Sequence, residues 1–230
     1  MSLKANKSDW VAMLSMMTVI EKEVTIKTDG TKAQCMAVDP AHVMFAKCIM
    51  DCEGEQDSFT VNSEQFLKGL VASGGDVQTI NIDRDKGSIQ IVGESKVRVP
   101  LYDEGEACPD IFEKFQEFDC NGQFRASTLE PLVNYGMYKK QDYLKCYFES
   151  GKLKIVVGEG ANESECSFDD ATGEGVVGFP LDYTMTMLKQ SKGMDIKISL
   201  VKSDSPARFQ WEAGHSLAIN VILAPRIEEE

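Results

Sequence analysis

Cysteine and histidine are the residue types in this chain best suited to metal binding or nucleophilic chemistry. The sequence contains seven cysteines and two histidines, His42 and His215. No two cysteines have Cys-Xaa-Xaa-Cys spacing, and neither histidine stands at a zinc-finger interval from two cysteines. An odd number of cysteines is also unlike a closed disulfide framework. We therefore expect reduced thiols in an intracellular protein, and neither a metal site nor a disulfide framework.

The segment 173–178 is the second candidate for chemistry, because it reads Gly-Glu-Gly-Val-Val-Gly and formally matches the dinucleotide-binding pattern. That pattern requires a strand before it and a helix that opens within it. Here two aspartates precede the glycines and Phe179-Pro180 follow them, which favours a glycine-rich turn before a strand. The sequence has no phosphate-binding loop and no Gly-Xaa-Ser-Xaa-Gly motif, and two histidines leave little besides carboxylates for acid–base work. We predict no catalytic residue, no metal ion and no cofactor.

The net charge of the chain bears on whether it can bind nucleic acid tightly. Twenty-four Lys and Arg residues against 37 Asp and Glu residues give a net charge of −13. Taken alone, this charge argues against a protein that holds nucleic acid tightly through phosphate contacts. A 43% share of hydrophobic residues is ordinary for a globular protein, so the chain is long and apolar enough to bury a substantial core.

An apolar stretch near the N-terminus, 11–20, follows Lys4 and Lys7 and loosely resembles a secretory signal. Ser8-Asp9 stands before it like a helix N-cap, and the charged triplet 21–23 follows it, so an amphipathic helix is favoured. No apolar run reaches the ~20 residues that span a bilayer. We expect an intracellular protein without a membrane partner, cytoplasmic if prokaryotic and nuclear if eukaryotic.

Hydrophobic periodicity predicts four helices separated by strand-like runs. The helices cover about 9–20, 63–72, a segment opened by the capping box Ser127-Thr128-Leu129-Glu130, and 181–190. Strand character marks 32–38, 43–50, 77–82, 88–92, 96–101, 143–148, 153–157, 194–200, 207–211 and 216–223. The order helix, strands, helix, strands thus occurs twice. It predicts an α+β fold with two similar domains, 1–102 and 122–230.

The segment between the two predicted domains, 103–121, is unlike a flexible linker. It is acidic, yet it carries Ile111, Phe112, Phe115 and Phe118. We expect an interdomain connector that lies on a surface and displays or docks those rings. Ile227 also follows Pro225 in the acidic C-terminus, where an apolar side chain would contribute nothing if the end were disordered.

Three motifs carry a resemblance that covers essentially the whole chain, in order. They are the turn 37–43 (Ala-Val-Asp-Pro-Ala-His-Val), the segment 97–103 (Val-Arg-Val-Pro-Leu-Tyr-Asp) and the tail 223–228 (Leu-Ala-Pro-Arg-Ile-Glu). With them the chain resembles the DNA sliding clamps of the proliferating-cell nuclear antigen family, especially the archaeal members. The tail and the turn around Asp39 are the most specific parts of the resemblance.

The resemblance implies a ring-forming protein that is not an enzyme. Members of the family are homotrimers, sometimes heterotrimers, in which each subunit contributes two domains of the DNA-clamp fold. Helices line a central hole through which double-stranded DNA threads without sequence specificity. A clamp loader opens the ring, and DNA polymerases, nucleases and ligases dock through a short motif of Gln, an aliphatic residue and two aromatics. The implied role is that of a processivity factor in DNA replication and repair.

The resemblance also implies two sets of site residues. The partner-peptide groove would be formed by His42, Val43, Ile111, Phe112, Phe115, Pro206, Leu223, Ala224, Pro225, Arg226 and Ile227. The DNA-binding cations would be Lys4, Lys7, Lys68, Arg125, Lys139, Lys140, Lys189 and Lys192, which lie on or beside the predicted helices. The chain departs from the family where the first helix lacks Lys and Arg between Trp10 and Ile20, and where Asp182 occupies a position often basic in relatives. DNA contact is therefore expected to be weak.

Two alternatives remain open at this point. Within the clamp class, the chain would be one subunit of a heterotrimeric or checkpoint-type ring. Outside it, the chain would be an unrelated acidic β-rich binding protein or a nucleotide-using enzyme. For self-assembly, we expect the strand at 88–92 or the one at 96–101 to meet the strand near 162–168 of the next subunit.

Overall fold

The computed structural model describes residues 2–104, 108–160 and 163–226. Their contacts divide the chain into two compact units. The first contains the described residues within Met1–Pro40, Phe45–Pro109 and Glu212–Ile219. The second contains those within Ala41–Met44, Asp110–Trp211 and Asn220–Glu230. No helix in the described ranges is long and apolar enough to cross a membrane.

The first unit is built from two helices and antiparallel strands. Its elements in chain order are β1 (Ser2–Asn6), α1 (Lys7–Thr18), β2 (Glu23–Asp29), β3 (Lys32–Val38), β4 (Met44–Asp51), β5 (Glu53–Gly54), β6 (Gln56–Asn62), α2 (Ser63–Ser73), β7 (Val77–Asp83), β8 (Ser88–Val92) and β9 (Lys96–Pro100). Neighbouring strands follow the orders β5-β1-β7-β8-β9 and β4-β3-β2-β6. Alternate residues of β3 and β4 are buried, as the period of a strand with one face on a core requires.

The second unit repeats this pattern. Its elements are β10 (Cys120–Arg125), α3 (Ala126–Tyr138), β11 (Tyr143–Glu149), β12 (Lys152–Val157), β13 (Ser164–Phe168), β14 (Gly175–Pro180), α4 (Leu181–Ser191), β15 (Asp195–Leu200), β16 (Ala207–Ala213) and β17 (Leu217–Leu223). The strand orders are β13-β12-β11-β14 and β10-β15-β16-β17. A 3₁₀ turn, Phe112–Lys114, precedes β10.

Apolar side chains on the helices form the cores that the periodicity predicts. In α1, Trp10, Met13 and Leu14 are fully buried. The Trp10 ring meets Phe66 of α2 edge-on, with the ring centroids 5.7 Å apart. In α3, Gly136 allows close approach to the strands, because a Cβ atom there would lie 2.2 Å from the Cγ1 atom of Val157. Helix–sheet burial, rather than helix propensity alone, therefore fixes these elements.

Both predicted helix caps are wrong. Helix α1 begins at Lys7, and Asp9 lies inside its first turn with a fully buried carboxylate. That carboxylate accepts hydrogen bonds from the backbone N–H groups of His215 and Ser216 and, at 2.7 Å, from the Ser216 hydroxyl. Helix α3 begins at Ala126, without a side-chain cap. The Ala126 N–H donates to the Met194 carbonyl at 2.9 Å, so strand-type pairing continues up to the first helical residue.

Several strands were not predicted. They are β1, β2, β5, β6 and β10. Strand β6 has the sequence Gln-Asp-Ser-Phe-Thr-Val-Asn, whose polar start hides its strand character, yet all its residues pair with β2. The glycine pattern opens no helix, and Gly173 turns the chain with a φ of +79°. The turn is shorter than predicted, because β14 already begins at Gly175 and a strand does follow it.

Candidate docking site

The last three described residues, Ala224–Arg226, are tied down on both sides; we call them the C-terminal strip. The Ala224 N–H donates to the carbonyl of Val43 at 2.8 Å, and the Arg226 N–H donates to the carbonyl of Gly178 at 2.9 Å. Leu223, immediately before the strip, is fully buried. The structure thus brings together Val43, Leu223 and the strip, all of which the sequence assigns to the groove. Ile227, the remaining predicted residue of the tail, lies outside the described residues.

The Arg226 side chain gives the strip a third point of attachment. Its guanidinium carbon lies 4.7 Å from the centre of the Tyr143 ring, and Nη1 lies 3.6 Å from a carboxylate oxygen of Asp142. The Tyr143 hydroxyl in turn donates to Glu159 at 2.7 Å, which fixes the ring. Sequence reasoning missed Tyr143 and Asp142, because no local pattern connects them with a residue about 80 positions away.

From Asp110 onward, the connector belongs to the second unit. The Phe112 ring is only 7% exposed, so it belongs largely to the core, while Ile111 and Phe115 are half-buried. The Phe112 N–H donates to the Asp110 carboxylate at 3.1 Å. The Phe115 carbonyl accepts from Nη1 of Arg208 at 3.3 Å. Of the predicted connector residues, Ile111 and Phe115 therefore retain side-chain surface for a ligand.

The other predicted groove residues lie in turns. His42 is exposed and adopts a left-handed backbone with a φ of +59°, and Val43 beside it is half-buried. Pro206 is half-buried and directly precedes β16. The structure thus links the turn to the chain end through the Ala224–Val43 hydrogen bond, and the connector to β16 through the Arg208–Phe115 hydrogen bond.

The backbone of the C-terminal strip can accept further hydrogen bonds but has no N–H group left to donate one. Both of its N–H groups already donate to protein carbonyls, and Pro225 has none. An extended peptide that pairs with the strip must therefore supply N–H donors to carbonyl oxygens of the strip. Such main-chain pairing is how a strand edge captures a peptide.

In the first unit, the three predicted DNA-binding cations lie on three different elements. Lys4 is exposed on β1, not on a helix. Lys7 is the first residue of α1, and its ammonium group donates to the carbonyl of Val71 in α2 at 3.3 Å. Lys68 forms an exposed ion pair with Glu64 at 2.6 Å on α2. The rest of α1 contains no Lys or Arg, as read from the sequence.

In the second unit, the predicted cations lie at the ends of α3 and α4 and within α4. Arg125 precedes α3, and Lys192 ends α4 beside Gly193, whose Cβ position lies 3.5 Å from Ser127. Lys139 follows the C-terminal end of α3, and its ammonium lies 5.5 and 5.9 Å from the Tyr135 and Tyr138 ring centres. The remaining members of the predicted set, Lys140 and Lys189, are exposed.

The thiols are placed for packing. Five of the seven cysteines are buried. Burial raises the pKa of Cys35 to about 12, and burial together with Glu165 raises the pKa of Cys166 to about 11. Within the described ranges, no group of three His, Cys, Asp or Glu side chains is arranged to hold a metal ion.

Comparisons with known proteins decide the fold. No family model matches the chain, and no curated protein sequence does. Among solved structures, it is similar to the proliferating cell nuclear antigen (PCNA) of A. fulgidus, determined with the C-terminal region of FEN-1 bound. The TM-score is 0.84 at 16% identity, and the match covers 100% of this chain and 99% of that one. The chain has the sliding-clamp fold.

Two further solved structures show the same similarity of fold. The PCNA2–PCNA3 complex from Sulfolobus tokodaii gives a TM-score of 0.80 at 15% identity, covering 98% of this chain and 99% of that one. PCNA from Entamoeba histolytica gives 0.78 at 11% identity, covering 98% of both chains. Mixed helices and strands in the clamp arrangement, predicted from motifs and element order, are thereby confirmed.

Proposed function

We propose that the chain is a subunit of a DNA sliding clamp, a ring that encircles double-stranded DNA and catalyses no reaction itself. The observation that carries the proposal is the full-length likeness to PCNA structures at 98–100% coverage of this chain. Because a fold alone does not define a function, the anchored C-terminal strip is the second support. The same proposal includes two domains, 1–102 and 122–230, joined by the connector 103–121. It also includes an intracellular location.

For assembly, we propose that β9 of one protomer pairs with β13 of the next in a trimer. Each is the last strand of its sheet, whereas β8, the other candidate from the sequence, already pairs with β7 and β9. Among the described residues, none pairs with the outer edge of β9 or β13. Lys96 and Arg98 are exposed on β9, and β13 carries exposed Glu165, one of whose oxygens pairs with Lys154 of its own chain at 2.5 Å. The opposite charges favour contact of β9 with β13 over pairing of like strands.

For partner recruitment, we propose that the connector, the turn at His42 and Val43, and the C-terminal strip receive the docking motif of polymerases, nucleases, ligases and the clamp loader. The structure of A. fulgidus PCNA with the C-terminal region of FEN-1 bound supports peptide docking on this fold. In this chain, half-buried Ile111, Phe115 and Pro225 supply the apolar surface.

For DNA, we propose retention by topology rather than by strong contacts. The net charge of −13 and the scarcity of cations on α1 disfavour tight phosphate binding. The cations at the helix ends then provide a weak, sequence-independent contact that lets a ring slide.

The solution mass of the purified chain tests the proposal. A clamp homotrimer has three times the 25.5 kDa of the chain. A monomer that becomes a trimer only with a second clamp subunit would identify the heterotrimeric or checkpoint-type alternative. A monomer that finds no such subunit, and is not retained on circular DNA after loading, would refute the clamp assignment.

A further inference from the structure

Arg208 on β16 is a partly buried cation whose hydrogen-bond partners are all uncharged. Its Nε and Nη2 atoms donate to the Asn220 side-chain oxygen at 3.2 and 2.7 Å, and Nη1 donates to the Phe115 carbonyl at 3.3 Å. Among the described residues, no carboxylate lies within 4.0 Å of this guanidinium. Three other arginines do have carboxylate partners: Arg84, Arg125 and Arg226.

The guanidinium is held in one orientation, and two of its N–H groups have no hydrogen-bond partner among the described residues. Asn220 is 8% exposed, and its side-chain oxygen also accepts from Gln210 at 2.8 Å, so the acceptor is fixed. Arginine carries five N–H groups, of which three are used here. One N–H on Nη1 and one on Nη2 remain. Burial lowers the pKa of Arg208, which is the sign of a cation whose desolvation no nearby anion offsets.

The position of Arg208 connects it with the candidate groove. It stands two residues after Pro206 and bonds directly to the backbone of Phe115, and both residues belong to the predicted groove. A peptide that covers Phe115 and Pro206 would therefore lie beside Arg208. In a chain of net charge −13, acidic peptides are repelled in general. A fixed cation selects for an acid at one position rather than for overall negative charge.

We propose that Arg208 recognises a carboxylate on the docked partner peptide, and so makes one Asp or Glu of the docking segment a specificity determinant. This inference rests on the proposed docking function. A planar guanidinium with two adjacent donors matches a carboxylate, and charge-assisted hydrogen bonds are about twice as strong as neutral ones. The carboxylate would also supply the missing counter-charge.

The test is a charge scan of the peptide against two arginine variants. The probe is a fluorescent peptide with the Gln, aliphatic and two aromatic anchors and otherwise neutral residues. In a series of peptides, one neutral position at a time carries Glu, and each is compared with Gln at the same position. Binding is measured by anisotropy on the wild-type chain, Arg208→Gln and Arg208→Lys, with trimer mass and circular dichroism as folding controls.

We expect Glu to bind about tenfold more tightly than Gln at one position on the wild type, or ~1.4 kcal/mol. Arg208→Gln should weaken the acidic peptide more than the neutral one, so that the preference disappears, and Arg208→Lys should retain part of it because the charge stays. Absence of any Glu preference on the wild type, or its survival in Arg208→Gln, overturns the inference. Equal weakening of acidic and neutral peptides in Arg208→Gln also overturns it, since Arg208 would then only hold the connector. If no peptide binds the wild type, the docking function itself fails.

Discussion

Truncation of the chain after Leu223 should abolish docking of the motif peptide while leaving the chain folded and assembled. The truncation removes the whole C-terminal strip, and with it the backbone bonds to Val43 and Gly178 and the stack of Arg226 on Tyr143. Neither of the strand edges proposed for assembly contains these residues. The perturbation is therefore confined to the docking site.

The magnitudes follow from the contacts. Each backbone hydrogen bond contributes about 1 kcal/mol net, and the cation–π stack about 0.5–1 kcal/mol. The ion pair with Asp142 adds little, because that carboxylate is 78% exposed. The free energy of unfolding should thus fall by about 2–3 kcal/mol, which lowers the thermal midpoint without unfolding the chain. Peptide affinity should fall by ~30-fold or more, since losing a buried anchor commonly costs ~2 kcal/mol.

Titration calorimetry with the motif peptide separates the strip from the acidic end. The matched control removes only Glu228–Glu230 and should change the affinity far less, because exposed charges contribute ~0–1 kcal/mol. Arg226→Lys, which keeps the charge but loses the planar stack, should fall between the two. If the Leu223 truncation binds the peptide as tightly as the wild type, the strip is not part of the docking site.

Two further predictions concern charge. Exchange of Lys68, Lys140 and Lys189 for glutamate should weaken clamp-dependent DNA synthesis and loading without changing the trimer mass. Undiminished polymerase stimulation at physiological salt would refute the assignment of these lysines to DNA contact. For the thiols, burial raises the pKa of Cys35 from its ordinary value of 9.0 to about 12 in the folded state. The stability that depends on the neutral thiol is therefore complete below pH 9 and is lost as pH rises toward 12. Between pH 9.5 and 11, the unfolding free energy of wild type should fall by about 1.4 kcal/mol per pH unit more than that of Cys35→Ala; parallel slopes in urea titrations would contradict this.

Local patterns were sufficient for most of the fold. Strands β3 and β8 lie where the sequence places them, and α2 and α4 each extend one residue beyond the predicted end. Hydrophobic periodicity is a property of neighbouring residues, so it predicts a helix or strand without information about the rest of the chain. The tail motif likewise identified Ala224-Pro225-Arg226 as a segment to be tied down.

Only the tertiary structure decided which partners those segments have. Asp9 reads locally as a helix cap, but its carboxylate binds Ser216, which is 207 positions away. Arg226 stacks on Tyr143, and Arg208 joins the connector at Phe115 to Asn220. These contacts depend on which strands become neighbours, and strand pairing over long separations leaves no periodic signal in either segment. The sequence therefore determined the elements and the resemblance, whereas the structure determined the orientation of the cations around the docking site.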